Sequence, residues 1–281
     1  MNHQYLDGSD VVCVFEDTLD GFAAAYCVWK MYPNAQFHRS VSWLTPTQLH
    51  EKQLIILGVN MPLVNYIELS RHCRDVLIVD HRQTLSEQWR QLGELPQGVQ
   101  VLYHPNQSIA SLVWNYQFTP MPIPVLIQYI EDKTLWRYQF PQTRAVTTAL
   151  IGYPQDFKVW DDLIQSNGIY DLHEEGRIML RRLQKDVEMA IRTSKRRINI
   201  GGYDVPAVNI SPTLANDAGI LLAKGEPFGV SYWDETDGRV FDLISTQQGI
   251  AVHELVRAFN GYGSSCEARF KVPKTHPLAN V

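Results

Sequence analysis

The sequence predicts an α/β protein of two domains, and three observations carry that expectation. Short continuous apolar runs, VVCVF at 11–15, LIIL at 54–57 and VLIV at 76–79, alternate with segments of helical composition. Such runs read as strands of a parallel sheet covered on both faces. Beyond Val205 the pattern changes to strand-like runs, VPAVNI, FGVSYW and GRVFDLI, separated by turn signals such as Asp237-Gly238, which read as a smaller α+β domain. The length of 281 residues agrees with about two domains at ~100–200 residues each.

In chain order, VVCVF is followed by Asp20-Gly21, which ends a turn, and by a helix over Phe22–Met31 that Pro33 and Asn34 stop. LIIL leads to a loop, Gly58 to Asn60, and to a helix around Tyr66–Cys73. VLIV runs straight into Asp80-His81. Residues 108–118 and 122–136 have helical composition and complete the first domain, 1–171. A connecting helix is expected over 172–197, with Ile178, Leu180, Leu183, Val187 and Ile191 at helical spacing. Its many basic residues, among them Arg192, Lys195, Arg196 and Arg197, read first as a solvated face. The alternative is that this basic end overlooks an anionic ligand. The second domain, 198–281, holds helices over Leu214–Lys224 and Ile250–Phe259 and a glycine-bearing loop from Asn260 to Ser265.

Composition excludes several classes. A net charge of −5 argues against broad binding to long duplex nucleic acid, which needs dense Lys and Arg contacts to phosphate. The four cysteines, Cys13, Cys27, Cys73 and Cys266, form no CxxC pair, so no zinc site is signalled. A reducing cytoplasm is the simplest setting for them. The N-terminal MNHQYLDGSD lacks an apolar leader core. No apolar run approaches the ~18 residues of a membrane span.

The chemistry should lie where the parallel strands end, because ligands in such sheets bind outside the carboxyl ends. That edge collects Glu16, Asp17, Asp20, the loop 58–60 and Asp80-His81-Arg82. Asp132 ends the later helical run. Carboxylates and an imidazole converging there suit a divalent ion such as Mn²⁺ or Mg²⁺. The structural alternative is that the aspartates cap turns and helices.

These segments resemble the DHH/DHHA1 phosphoesterase family, in its oligoribonuclease and exopolyphosphatase-like branch. VVCVFEDTLDGFAAAYCVWKMYP is similar to the family's first motif, and VLIVDHRQT to its Asp-His-His motif. SIASLVWNYQF followed by YIEDKTLW is similar to the later motif. VPAVNIS, FDLIS and FNGYGSSCEARF resemble the DHHA1 pattern. The resemblance implies an interdomain cleft, a one- or two-metal centre and hydrolysis of phosphoesters or phosphoanhydrides. It places metal ligands at Asp20, Asp80, His81 and Asp132, with Glu16 as a further candidate. It places substrate contacts at Asn260, Gly261, Gly263 and Ser264, and reacting-centre roles at His81 and Arg82. Small phosphorylated ligands or short oligonucleotides would be the partners, with no membrane, and a homodimer stays open.

The departures from the motifs decide the expectation. Phe15 stands where the family has a histidine, Gly58 where it has a bridging aspartate, Arg82 where it has the second histidine, and Thr134 where it has an aspartate. In the second domain Ile244, Ala251, Ser264 and Arg269 replace an arginine, an aspartate, a histidine and a glycine. Four surviving ligands suit one ion at most, since a two-metal clamp needs a bridging carboxylate and several more anionic ligands. The expectation is a phosphorylated-ligand-binding protein with weak or no hydrolysis. Its alternatives are an active single-metal phosphoesterase, with Arg82 stabilising developing charge, and a non-catalytic partner-binding protein.

Overall fold

The computed structural model describes residues 8–41, 44–92, 94–166, 168–246 and 249–280, the side chains of residues 83, 84, 88, 91 and 92 excepted. The opening residues 1–7, part of the segment read as lacking a leader, lie outside the described residues. The chain divides into two units, Met1–Met179 and Leu180–Val281.

The first unit is built on strands β1 (Val11–Phe15), β2 (Gln36–His38), β3 (Gln53–Leu57), β4 (Asp75–Asp80) and β5 (Val99–Tyr103). All pair in parallel, in the order β2-β1-β3-β4-β5. Between and after them run helices α1 (Leu19–Met31), α2 (Pro46–Leu49), α3 (Leu63–Ser70), α4 (Gln83–Leu92), α5 (Ile109–Phe118), α6 (Val125–Thr134), α7 (Thr143–Ile151) and α8 (Phe157–Gln165). Strand side chains alternate between two apolar layers. Val11, Cys13 and Phe15 pack with α1, α5, α6 and α7 on one face, and Val12 and Val14 pack with Tyr66, Leu85 and Trp89 on the other. Burial on both faces is why these strands are continuously apolar. Each large buried side chain contributes about 1.5–3 kcal/mol by leaving water.

Helix α9 (Ile169–Ser194) carries the chain from one unit to the next. It ends at Ser194, not at Arg197. The segment RRINI alternates, with Ile198 and Ile200 buried and Arg197 and Asn199 outward, so period 2 wins over period 3.6 from Arg196. The second unit is a six-stranded mixed sheet in the order β10-β11-β9-β8-β7-β6. Its strands are β6 (Arg196–Ile200), β7 (Tyr203–Asn209), β8 (Gly229–Asp234), β9 (Gly238–Ile244), β10 (Tyr262–Gly263) and β11 (Glu267–Pro273). Helices α10 (Pro212–Leu222) and α11 (Val252–Val256) pack on it. The α10 face holds Val208, Ala218, Trp233 and Val240, and the α11 face holds Val230, Phe241, Leu243 and Phe270. The predicted fold class, a parallel sheet domain plus a smaller α+β domain, is what the chain adopts. Among the described residues no helix is long and apolar enough to cross a membrane.

Candidate functional site

The strand order 2-1-3-4-5 reverses direction between β1 and β3, and a doubly wound sheet opens its ligand crevice at that switch. Register fixes what stands there. The amide of Glu16 donates to the Leu57 carbonyl at 3.0 Å, and that of Gly58 to the Val79 carbonyl at 3.0 Å. Phe15 pairs with Leu57 and Leu57 with Val79. Glu16, Gly58 and Asp80 therefore follow one another across three neighbouring strand ends, at about 4.8 Å per strand.

Arg82 closes this row. Asp80 is 1% exposed. Its Oδ1 accepts the Arg82 amide at 2.8 Å and Arg82 Nε at 3.0 Å. Its Oδ2 accepts Nε at 3.1 Å and also Nη2. Nη2 donates as well to the Gly58 carbonyl, and Nη1 lies 3.8 Å from Glu16 Oε1. The guanidinium thus takes a carboxylate along its Nε–Nη2 edge, with Nη1 directed to a second carboxylate. This fork geometry is the one arginine offers and a spherical cation does not.

Gly58 makes that arrangement possible. Its φ is +66°, and a Cβ there would lie 2.3 Å from Ile109 Cδ1 and 3.4 Å from Glu16 Oε2. An aspartate at this position would collide with Ile109 and press a third carboxylate toward Glu16. The glycine leaves room and presents a carbonyl to Arg82 in place of a carboxylate.

The remaining acids are held by amides. Asp20, 4% exposed, sits in the first turn of α1, so the turn predicted to end at Asp20-Gly21 closes two residues earlier, where Thr18 caps the helix by accepting the Gly21 amide. Its carboxylate accepts the amides of Ile109 at 2.8 Å and Ala110 at 3.0 Å, the first two residues of α5. An anion between two helix starts is favoured by both dipoles. Asp132, 3% exposed, accepts the amides of Gln139 at 2.8 Å and Phe140 at 3.1 Å, and the Thr143 hydroxyl. It ties the loop after α6 to the start of α7.

Electrostatics follow from this packing. Burial pushes the Asp20 carboxyl above its ordinary range, while the nearby His81, the α5 amides and Ser108 pull it back down. Burial also raises Glu16, against the pull of Arg82 and with a push from Asp80 and Asp20. Arg82 is raised in turn: burial lowers it, but its hydrogen bonds with Asp80 and its charge contacts with Asp80, Glu16 and Tyr66 together outweigh that cost. Glu16, Asp20, Asp80, His81 and Arg82 are thus close enough to feel one another's charge.

A divalent ion does not fit the residues present. Among the described residues no group of three or more His, Cys, Asp or Glu side chains gathers to hold one. The Asp20 and Asp132 oxygens face amide and hydroxyl donors, and those of Asp80 face a guanidinium that cannot lose its proton.

In the second unit the loop residues serve their own hairpin. Asn260 adopts φ 54°. The Gly261 amide donates to the Val256 carbonyl at 2.8 Å, and the Ser264 amide to the Glu267 carbonyl at 2.6 Å. Ser264 Oγ accepts the amides of Cys266 and Glu267 at 3.3 and 3.2 Å. A Cβ on Gly263, φ 149°, would lie 2.2 Å from the Glu267 carbonyl oxygen, so this glycine is required by close strand approach. An anion nest needs amides that point outward together; the amides of Gly261 and Ser264 are taken by the Val256 and Glu267 carbonyls.

Sequence reasoning did not single out Asp242. It is 1% exposed and accepts Arg269 Nε at 3.2 Å, while Arg269 lies over Trp233 at 5.1 Å from the ring centre. The signal was a lone acid inside the apolar strand VFDLI. Burial raises its carboxyl, against the pull of Arg269. Arg269, which departs from the glycine of the motif, is the partner of that buried acid.

No protein-family model matches the chain. An uncharacterized protein of Acanthamoeba polyphaga mimivirus is 22% identical over 288 residues, covering 92% of this chain; the chain spans 66% of that protein's length. Among solved structures, an exopolyphosphatase-related protein from Bacteroides fragilis is similar at a TM-score of 0.52 and 13% identity, over 96% of this chain and 88% of that one. RecJ from Thermus thermophilus, solved in complex with Mn²⁺, is similar at 0.51 and 11% identity, over 96% of this chain and 50% of that one. At these identities the likeness is one of fold: a parallel sheet unit followed by a mixed-sheet unit.

Proposed function

We propose that this chain is a phosphoesterase-like protein that has exchanged its metal centre for an internal arginine, and that binds a phosphorylated ligand with weak or no hydrolysis. The observation that carries the reading is the placement of the Arg82 guanidinium on Asp80 and the Gly58 carbonyl, facing Glu16. A permanent cation there offsets the carboxylates that would otherwise recruit an ion, and repels a second cation. With no metal to generate hydroxide or to clamp a phosphoryl oxygen, the largest rate terms of metal-assisted hydrolysis are missing. The ligand is inferred from the fold. At this edge His81 and the Nη1 end of Arg82, both half-buried, remain to touch a phosphate, because the Nε–Nη2 edge is taken. A bidentate phosphate clamp through Arg82 would have to displace Asp80.

The test is an assay of the purified chain on short RNA, linear dinucleotides and polyphosphate, with Mn²⁺ added. The expected result is turnover at or near background on all three, unchanged by Mn²⁺ or a chelator. Rapid Mn²⁺-dependent turnover that Asp80→Ala abolishes would reject the proposal and leave the active single-metal reading in its place.

A further inference from the structure

Helix α9 shows two stripes to its surroundings. Leu172, Gly176, Leu180, Leu183 and Val187 recur at helical spacing on one side. Leu172 and Val187 are fully buried, and a Cβ on Gly176 would lie 1.9 Å from the Ala145 carbonyl oxygen. The opposite stripe is Asp171, Glu174, Glu175, Ile178, Arg181, Arg182 and Lys185, which also share one face by helical period. Glu174 is half-buried there and the others are exposed. At its centre Ile178 is 62% exposed, an apolar side chain with charged residues on both sides along the face.

The charges on this face are sorted by sign. Acids stand N-terminal to Ile178 and bases C-terminal to it. Partners on the helix reduce the contrast without removing it. Arg177 lies 3.5 Å from Glu174, and Asp186 lies 2.9 Å from Arg182. With His173 neutral, residues 171–177 set three carboxylates against one arginine, and residues 181–186 set three cations against one aspartate. Among the described residues no side chain of another element forms an ion pair with any of the six. Glu175 accepts only the neutral Tyr153 hydroxyl, at 3.1 Å.

A lone helix gains little from this order. Like charges three and four residues apart, as in Asp171–Glu175 and Arg181–Lys185, work against it. The helix dipole explains Asp171, which sits in the first turn, but its effect fades within one turn of each end. The other five lie deeper in a helix that runs from Ile169 to Ser194. An antiparallel copy of the same face matches the order throughout. With a two-fold axis at Ile178, residues equally far before and after it meet across the axis. Glu174 then faces Arg182, Glu175 faces Arg181 and Asp171 faces Lys185, and each pair occurs twice because the interface is isologous. The seam is about 21 Å long at ~1.5 Å per residue, with Ile178 against its own copy at the middle. A parallel copy would set acid against acid and base against base.

We propose that this face of α9 docks antiparallel on the same face of a second copy of the chain, about a two-fold axis at Ile178. The seam shares no residue with the Arg82 arrangement, so the two readings stand or fall separately. Exposed ion pairs contribute little each, so the dimer is expected to be weak and salt-sensitive. Sedimentation equilibrium of the full chain is the test. At about 25 mM salt the dimer should form with a dissociation constant below about 200 μM, weakening at least about tenfold at about 300 mM salt. Arg181→Glu/Arg182→Glu and Glu174→Lys/Glu175→Lys should each be monomeric alone. Mixed in equal amounts they should pair as a heterodimer, because each then offers the charge the other lacks. A wild-type chain that stays monomeric to about 300 μM, a dimer indifferent to salt, a dimer kept by either variant, or a mixture that stays monomeric would each overturn the proposal. If circular dichroism shows a reversal unfolded, Ile178→Glu is read instead: it sets two acids together on the axis and should abolish the dimer, and a dimer that survives it overturns the proposal.

Discussion

Asp80→Ala is expected to destabilise the first unit by about 3–5 kcal/mol, because it strands a guanidinium among buried groups with its main partner gone. Asp80 is 1% exposed, and the Arg82 side chain 27%. Two Arg82 groups, the main-chain amide and Nε, lose their acceptor at once, and Nη2 keeps only the Gly58 carbonyl. Glu16 at 3.8 Å is too distant to replace them. Some solvent reaches Nη1, so the lower half of that range is the expectation. The informative comparison is Asp80→Ala/Arg82→Ala. Removing the cation as well should recover at least half of the loss, since no charge is then left unpaired and the pair is strongly non-additive. Arg82→Ala alone should be nearly as damaging as Asp80→Ala, because it leaves Asp80 and Glu16 without their cation. Denaturant midpoints of the four chains measure the coupling. A stabilising Arg82→Ala, or additive losses, would mean that the arginine is a bystander.

Asp132→Ala carries the second largest expected effect, about 3 kcal/mol. One carboxylate here serves the amides of Gln139 and Phe140 and the hydroxyl of Thr143. An unmade buried hydrogen bond costs ~1–3 kcal/mol. Thr143 is completely buried, but residues 139 and 140 are exposed and their amides can turn to water, which limits the total. Asp132→Asn keeps an acceptor and should lose less than half as much. Faster hydrogen exchange at residues 139–143 would report the loosened loop directly. A neutral Asp132→Ala would show that this aspartate is not the tie that its partners indicate.

Much of the fold was legible because the physics was local. VVCVF, LIIL and VLIV are strands, since a strand covered on both faces must be apolar throughout. The helices at 108–118 and 122–136 are observed at Ile109–Phe118 and Val125–Thr134. What sequence reasoning passed over are elements without that signature. β2 (QFH) is a short, largely polar edge strand. β5 (VQVLY) alternates, and none of its residues is fully buried. α4 (QTLSEQWRQL) is polar enough to resemble a loop, although Leu85 and Trp89 anchor it. The connecting helix was extended into β6 because three basic residues hid the alternation of RRINI.

The candidate site was legible in its residue types and less so in its wiring. Glu16, Asp80 and Arg82 do meet, because parallel register brings consecutive strand ends together. That Asp20 faces the start of α5 depends on a contact 89 residues away in the chain, and no spacing rule reveals it. The role of Arg82 was half visible: a cation in place of a histidine was evident, but its alignment on Asp80 needs the Gly58 carbonyl and the room that glycine leaves beside Ile109.

The most direct test is a Mn²⁺ titration of the wild-type chain, followed by electron paramagnetic resonance of the free ion. If Arg82 stands in for the metal, Mn²⁺ should stay free, with any dissociation constant weaker than about 1 mM. A stoichiometric ion bound at micromolar levels, and released by Asp80→Ala, would contradict it.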